Sequence, residues 1–343
     1  MAGTSRAGGA CAALLLVAAW PAAAQSPATA GIAIEEEETG GSRWGGWIIA
    51  ETSLGFGTFV GGFADDPFAA QAVSLRPSYR IDGFPGTASL ILRQDASWEF
   101  TQPDAPGGRR FDYADTMLWF VAPALWTEPA SGVTLGGEAR LTLPISYESR
   151  MSDRITALTV GPRFSRDFGP FSAQLRLLAT KHFFAHSNVG LARDEATGRD
   201  GIPFAHCREG EEWCAGGAYV PSWGASVYGL LGYALSDALS ASVALQYAAT
   251  WRVAAPDDAF TSRATDTAGN RVVQRGLQRS ADVAMTTLDL AYQLTGQLGF
   301  SAGVITEMPT RTADNRRFRF HLIDLATPAN NYSSLYFDVI ASF

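Results

Sequence analysis

Counted back from the last residue in steps of two, Phe343, Ala341, Val339, Phe337 and Leu335 form one apolar row. The positions between them, Ser342, Ile340, Asp338, Tyr336 and Ser334, form a mostly polar row with a carboxylate at its centre. A period of two marks a β-strand whose faces meet different surroundings. Leu239 to Trp251 repeats it: Leu239, Ala241, Val243, Leu245, Tyr247 and Trp251 fall on one side, and Ser240, Ser242, Gln246 and Thr250 on the other. Val133 to Ile145 and Phe171 to Ala179 do the same. Carried along the chain, the pattern predicts twelve strands, near 46–57, 70–81, 87–100, 111–123, 133–146, 154–167, 171–185, 219–235, 239–251, 282–295, 298–309 and 332–343.

The predicted connections are alternately short and long. Asp82 to Gly86, Gly169-Pro170, Ser236 to Ala238 and Gly296-Gln297 carry residues that reverse a chain in a few steps. The long connections, 101–110, 186–218, 252–281 and 310–331, are rich in Asp, Arg, Asn, Gly and Pro. A soluble sandwich also alternates along its strands, so the aromatics decide. Trp98, Phe100, Phe111 and Tyr113 are expected at one rim, and Trp47, Trp126, Phe164, Phe171, Tyr233, Tyr292 and Phe300 at the other. Such sorting suits a bilayer, whose headgroup levels attract amphipathic rings.

The terminal strand with its final Phe343 resembles the closing strand of Gram-negative outer-membrane β-barrels. The resemblance implies an all-β fold: one antiparallel transmembrane barrel of about twelve strands, with both termini periplasmic. It also implies a bacterial outer-membrane location, contact with membrane lipid and lipopolysaccharide, and a barrel-assembly machinery that reads Phe343.

Residues 1–24 read as a cleaved signal peptide: Arg6 lies in a short n-region, Cys11 to Trp20 are apolar, and Pro21-Ala22-Ala23-Ala24 supplies small residues before Gln25. Cys11 precedes the apolar core, so it is not placed for lipid attachment. Residues 25–45, with Glu35 to Glu38 in a row, read as a flexible acidic periplasmic leader, and 46–343 as the barrel. The chain is 47% hydrophobic and 17% charged. Its mature part has no run of the roughly 18 apolar residues a membrane helix needs. A net charge of -8 argues against a nucleic-acid partner. Lys181 is the one lysine among 26 basic residues.

Four places hold candidate chemistry. Cys207 and Cys214 bracket six residues of one long loop and, in an exported protein, are expected to form a disulfide. A metal reading would add His206, but a fourth ligand is missing locally. His186-Ser187 suggests a hydrolase dyad, yet adjacent residues of a strand point to opposite faces, which argues against one. Asp257, Asp258, Asp266 and Asn270 offer oxygen ligands without a complete calcium loop. No catalytic residue, metal or cofactor is therefore assigned.

Followed strand by strand, the alternation sends Glu51, Arg76, Arg80, Arg93, Asp95, Glu99, Glu138, Arg140, Arg163, Arg176, His182, Asp289, Glu307 and Asp338 inward as pore-lining residues. The arginines belong to the early strands, and the last three strands contribute only carboxylates. Pairing is therefore expected to cross a hydrated lumen or to give way to water. The first functional reading is a passive channel for small polar or charged solutes, resembling in size the twelve-stranded nucleoside and acidic-oligosaccharide pores. The second is a structural or adhesive barrel acting through its loops, and a lipid hydrolase comes third. The solute and the oligomeric state are not encoded in any residue pattern.

Overall fold

The computed structural model describes residues 42–59, 68–84, 86–101, 111–185, 188–192, 206–207, 213–253, 280–310, 318–319 and 333–343. The strands are β1 (Trp44–Gly55), β2 (Ala69–Ile81), β3 (Ala88–Glu99), β4 (Phe111–Tyr113), β5 (Thr116–Thr127), β6 (Thr134–Leu143), β7 (Arg154–Phe168) and β8 (Phe171–Phe184). They continue as β9 (Asn188–Ala192), β10 (His206–Cys207), β11 (Trp213–Tyr219), β12 (Pro221–Ala234), β13 (Leu239–Arg252), β14 (Ser280–Gln293), β15 (Leu298–Pro309) and β16 (Ser333–Ser342). Twelve of them close a ring in the order β1-β2-β3-β5-β6-β7-β8-β12-β13-β14-β15-β16, with β16 returning to β1. Each neighbour in the ring is antiparallel, so no strand of it has a free edge. The short β4 pairs with β3 above β5.

The inward and outward sets follow the sequence alternation. On β12 to β14, Leu231, Leu245 and Leu290 point outward and are 57%, 59% and 54% exposed, although they are large and apolar. Between them the wall turns inward small or polar groups such as Ser226, Ala244 and Asp289. Aromatics collect outside at the two rims. Phe168, Phe171 and Tyr233 make a chain of ring contacts at 5.5 and 4.8 Å near the short turns, and Trp98 meets Phe111 at 6.1 Å near the long ones. Lys181 also lies outside at the long-loop rim, 4.8 Å from the Trp223 ring. Trp47 departs from expectation. It packs on the inner wall against Ile49 and Ile340, because its odd position on β1 shares a face with Glu51.

Several boundaries move, each for a local reason. β1 starts at Trp44, so residues 44–45, expected in the leader, belong to the barrel. The strand expected at 111–123 is interrupted at Ala114-Asp115. The Asp115 carboxylate there accepts the Ser146 amide at 2.9 Å, the Ser149 hydroxyl and Arg154 Nη1 at 2.9 Å, drawing the backbone off the ladder. The strand expected to reach 146 stops at Leu143, before Pro144, which has no N–H to give. A single helical turn, α1 (Tyr147–Met151), follows, with the Ser146 hydroxyl accepting the Ser149 amide at 3.2 Å as an N-cap does. The loop expected at 186–218 contains the three-stranded sheet β10-β11-β9.

The short connections share one rim with both ends of the barrel chain. Side chains tie them: the Ser236 hydroxyl accepts the amides of Ala238 and Leu239, and the Thr295 hydroxyl those of Gln297 and Leu298. At the 128–133 turn, bonds from the Ser131 side chain and the Ala130 and Ser131 amides hold the Glu128 carboxyl below its ordinary range. The ring itself is sealed where the ends meet. Gly46 N–H donates to Phe343 O at 3.0 Å, and Phe343 N–H donates back to Gly46 O at 3.1 Å. A Cβ on Gly46 would lie 2.8 Å from Phe343 Cζ and 2.7 Å from Arg76 O, so only glycine lets the terminal ring sit there.

Deleting Tyr332 to Phe343 exposes the ladder groups of β1 and β15 to lipid, which offers them no partners. The truncated chain is expected to lose the compact, SDS-resistant band whose mobility changes on heating. Gly46→Val keeps all strands but displaces Phe343, at a cost of about 1–3 kcal/mol. It should lower the temperature at which that band melts, and an unchanged melting temperature would remove the seam from this account.

Candidate functional site

The polar inner wall is the candidate site, and each expected lining residue occupies an inward register position. Glu51 stands on β1, Arg76 and Arg80 on β2, Arg93, Asp95 and Glu99 on β3, and Glu138 and Arg140 on β6. Arg163 stands on β7, Arg176 and His182 on β8, Asp289 on β14, Glu307 on β15 and Asp338 on β16. They do not form one cluster. Arg80 lies low, near the short turns, whereas Glu99, His182 and Glu307 lie toward the long-loop rim. The remainder make a belt between.

Charge pairs in the belt run along the wall. Arg93 meets Asp95 at 2.5 Å and Arg140 meets Glu138 at 2.6 Å, each two residues apart on one strand and therefore on one face. Direct pairing across the lumen, one of the two outcomes expected from the sequence, is not how these four are satisfied. Neutral groups that a search for charges passes over hold others. Arg76 Nε donates to Ser74 Oγ at 2.8 Å, Arg176 Nε to Gln174 Oε1 at 2.5 Å, and the Ser53 hydroxyl to Glu51 at 2.6 Å. Arg140 lies 4.5 Å from the Trp119 ring and Arg176 4.9 Å from that of Tyr228. The i, i+2 spacing of Ser74 with Arg76, Gln174 with Arg176 and Ser53 with Glu51 was a sequence signal for these partners.

Two like-charged pairs stand out. Glu51 is directly opposite Asp338 across the β1/β16 seam, and Arg163 is directly opposite Arg176 across β7/β8. In the ring of twelve, β16 is six strands from β7 either way, and β1 six from β8. The pairs also share a level. Asp338 is five residues from Phe343, Glu51 seven from Trp44, Arg163 six from Gly169 and Arg176 six from Pro170. A carboxyl pair thus faces a guanidinium pair across the lumen. Strands spaced about 4.8 Å apart and tilted about 40° give a round twelve-strand section about 24 Å across. Side chains from opposite walls do not span that width.

Next to the carboxyl pair, Tyr336 on β16 donates to Asp289 Oδ1 on β14 at 2.5 Å, passing over β15. It can do so because Gly303 lies beneath it, where a Cβ would be 2.6 Å from the Tyr336 oxygen and 2.1 Å from Leu288 O. Ser301 completes the patch by donating to Asp338 Oδ2 at 3.1 Å.

Other expected features are placed only in part. Cys207 and Cys214 are directly opposite in the β10/β11 register. His186 and Ser187, Asp257, Asp258, Asp266 and Asn270, Cys11 and the segments 1–24 and 25–41 lie outside the described residues. Among the described residues no three His, Cys, Asp or Glu side chains are grouped so as to hold a metal ion.

Tyr336→Phe removes one donor from a buried carboxyl and is expected to cost about 1.5–3 kcal/mol. Gly303→Ala should do at least as much harm, by lifting Tyr336 off Asp289. Thermal melting of the heat-modifiable band would measure both, and additive losses in the double variant would disprove that the two act through one contact.

No protein-family model and no curated protein matches the chain. Among solved structures it is similar to the KdgM porin, at 8% identity over 87% of this chain and 99% of that one, with a TM-score of 0.40. It is also similar to the NanC porin, at 8% identity over 86% and 98%, with a TM-score of 0.41. A third similarity is to the outer membrane protein OpdK from Pseudomonas aeruginosa, at 9% identity over 88% and 98%, with a TM-score of 0.33. Identities this low transfer no residue's role. The closed ring of twelve antiparallel strands, apolar outward and charged inward, is by its own geometry that of an outer-membrane β-barrel.

Proposed function

We propose that the barrel is a channel of the bacterial outer membrane for passive diffusion of small polar or charged solutes. One observation carries this reading. On the inner wall Arg140 Nε, Arg163 Nε, Glu138 Oε2, Tyr228 OH and Ser242 Oγ have no hydrogen-bond partner among the described residues. A dry interior would leave each with an uncompensated desolvation cost of about 1–3 kcal/mol, more where the group is charged. A wall of this kind is stable against water, and the width of a twelve-strand ring leaves room for it. The opposed carboxyl and guanidinium pairs then set a transverse field that orients dipolar solutes on their way through.

In the matching orientation the short-turn rim, with both termini, faces the periplasm and the long loops face outward. A Cys207–Cys214 disulfide, which the opposed register favours, would stiffen the longest of those loops. Closing so short a ring is worth about 2–3 kcal/mol in the chain-entropy account. The terminal Phe343 would be the feature read during assembly, and lipid and lipopolysaccharide would cover the apolar exterior.

Reconstitution in a planar bilayer tests the channel. Discrete conductance steps are expected from the full chain. Replacing Arg140 and Arg163 together by Glu should move the reversal potential toward cations under a salt gradient, whereas Arg166→Glu, on the outer face, should leave it in place. Absence of steps, with none appearing after removal of residues 25–43, would favour a structural barrel acting through its loops. Thiol labelling checks the disulfide: neither Cys207 nor Cys214 should react in the folded, exported protein before reduction, and both should react after it.

A further inference from the structure

The guanidinium pair on β7 and β8 has a feature that the channel reading leaves unexplained. Arg163 and Arg176 are direct cross-strand partners, and like charges in that relation destabilise a sheet. On neighbouring stretches of the wall Arg93 and Arg140 each pair with an acid two residues away. Here the nearest acid by register is Glu138, whose Oε1 is already taken by Arg140 at 2.6 Å. Among the described residues, no carboxylate lies within ion-pair distance of Arg163 or Arg176. Gln174 holds only the Nε of Arg176, and Arg163 Nε has no partner among the described residues. The next residue round the wall, Tyr228, is the cross-strand partner of Arg176 and presents a buried hydroxyl that is likewise unpartnered. Three adjacent strands thus present more donors than their one side-chain acceptor there, Gln174, can hold.

The geometry points to an oxyanion-binding site on the inner wall, formed by Arg163, Arg176 and Tyr228 and suited to a carboxylate or phosphate group. A guanidinium presents paired N–H donors matched to two oxygens of such a group, which a halide cannot use. Arg176 is held in place by Gln174 and by the Tyr228 ring, so part of the site is ordered before a ligand arrives. An anion seated between the two arginines turns their repulsion into two attractions. The site rests on the channel reading for its biological use: it names anionic solutes bearing carboxylate or phosphate groups as the class retained in the lumen. Its chemistry, however, is testable without transport.

The test uses the refolded full chain in detergent micelles, with inorganic phosphate and acetate as probes in a chloride background, read by isothermal titration and by thermal melting. Phosphate and acetate are each expected to bind and to raise the melting temperature, with chloride inert at equal ionic strength. Arg163→Gln and Arg176→Gln should each weaken binding by 10-fold or more. Arg166→Gln, on the outer face, should not. Because each variant removes a repulsion, both should melt no lower than the parent when no oxyanion is present, which separates loss of a site from loss of the fold. In bilayers, phosphate should reduce the chloride current of the parent in a saturable way and leave that of Arg163→Gln unaffected. Conductance without phosphate binding, or binding equal in parent and Arg163→Gln, would overturn the site and leave the channel standing. Arg163-dependent binding by a barrel that does not conduct would uphold the site and overturn the channel.

Discussion

The requirement that every backbone N–H and C=O find a partner where there is no water governs this structure. In lipid, an edge strand leaves several groups unsatisfied at once, so a sheet there closes or does not form. Here closure is made by the two ends of the barrel chain. The exchange of hydrogen bonds between Gly46 and Phe343 turns twelve strands into a ring, and the missing side chain at Gly46 leaves room for the terminal aromatic at the seam. Glycine does related work at position 303, where its bare backbone lets Tyr336 cross a whole strand to reach Asp289. Both positions depend on an absent Cβ more than on conformational freedom.

Closure has a second consequence: the inner face becomes a confined space that the sequence must fill, hydrate or leave charged. Small residues such as Ala244, Gly224 and Ser226 leave room along β12 and β13, while arginines and carboxyls line much of the remainder. Pairing at i, i+2 along a strand satisfies Arg93 with Asp95 and Arg140 with Glu138, so these residues are largely spoken for by the wall itself. Arg163 and Arg176 on one side, and Glu51 and Asp338 on the other, instead face like-charged neighbours. Each of these like-charged contacts costs stability in the wall that carries it.

The long-loop rim follows a different logic. There Asp115 gathers Ser146, Ser149 and Arg154, and Arg150 donates to the Tyr113 hydroxyl at 2.8 Å, tying the β6–β7 connection to β4 and to the break before β5. Neither α1 nor the break in the strand at 114–115 follows from alternation, because both arise from one carboxylate whose donors lie 31 to 39 residues away in sequence. Trp47 shows a different limit at the other rim: its aromatic character suggested the membrane side, but the period of two that it shares with Glu51 puts it inside.

Sequence alone determined the number and approximate place of the strands, the short and long connections, and the face on which Glu51, Arg76 or Asp338 stands. Each of these is local, fixed by a period of two and by turn residues. Which residues meet across strands was decided by the fold. That Arg163 faces Arg176, that Glu51 faces Asp338, and that these pairs lie opposite one another depend on register and on closure of the ring. Register and closure are summed over every strand between, and no stretch of sequence states that sum.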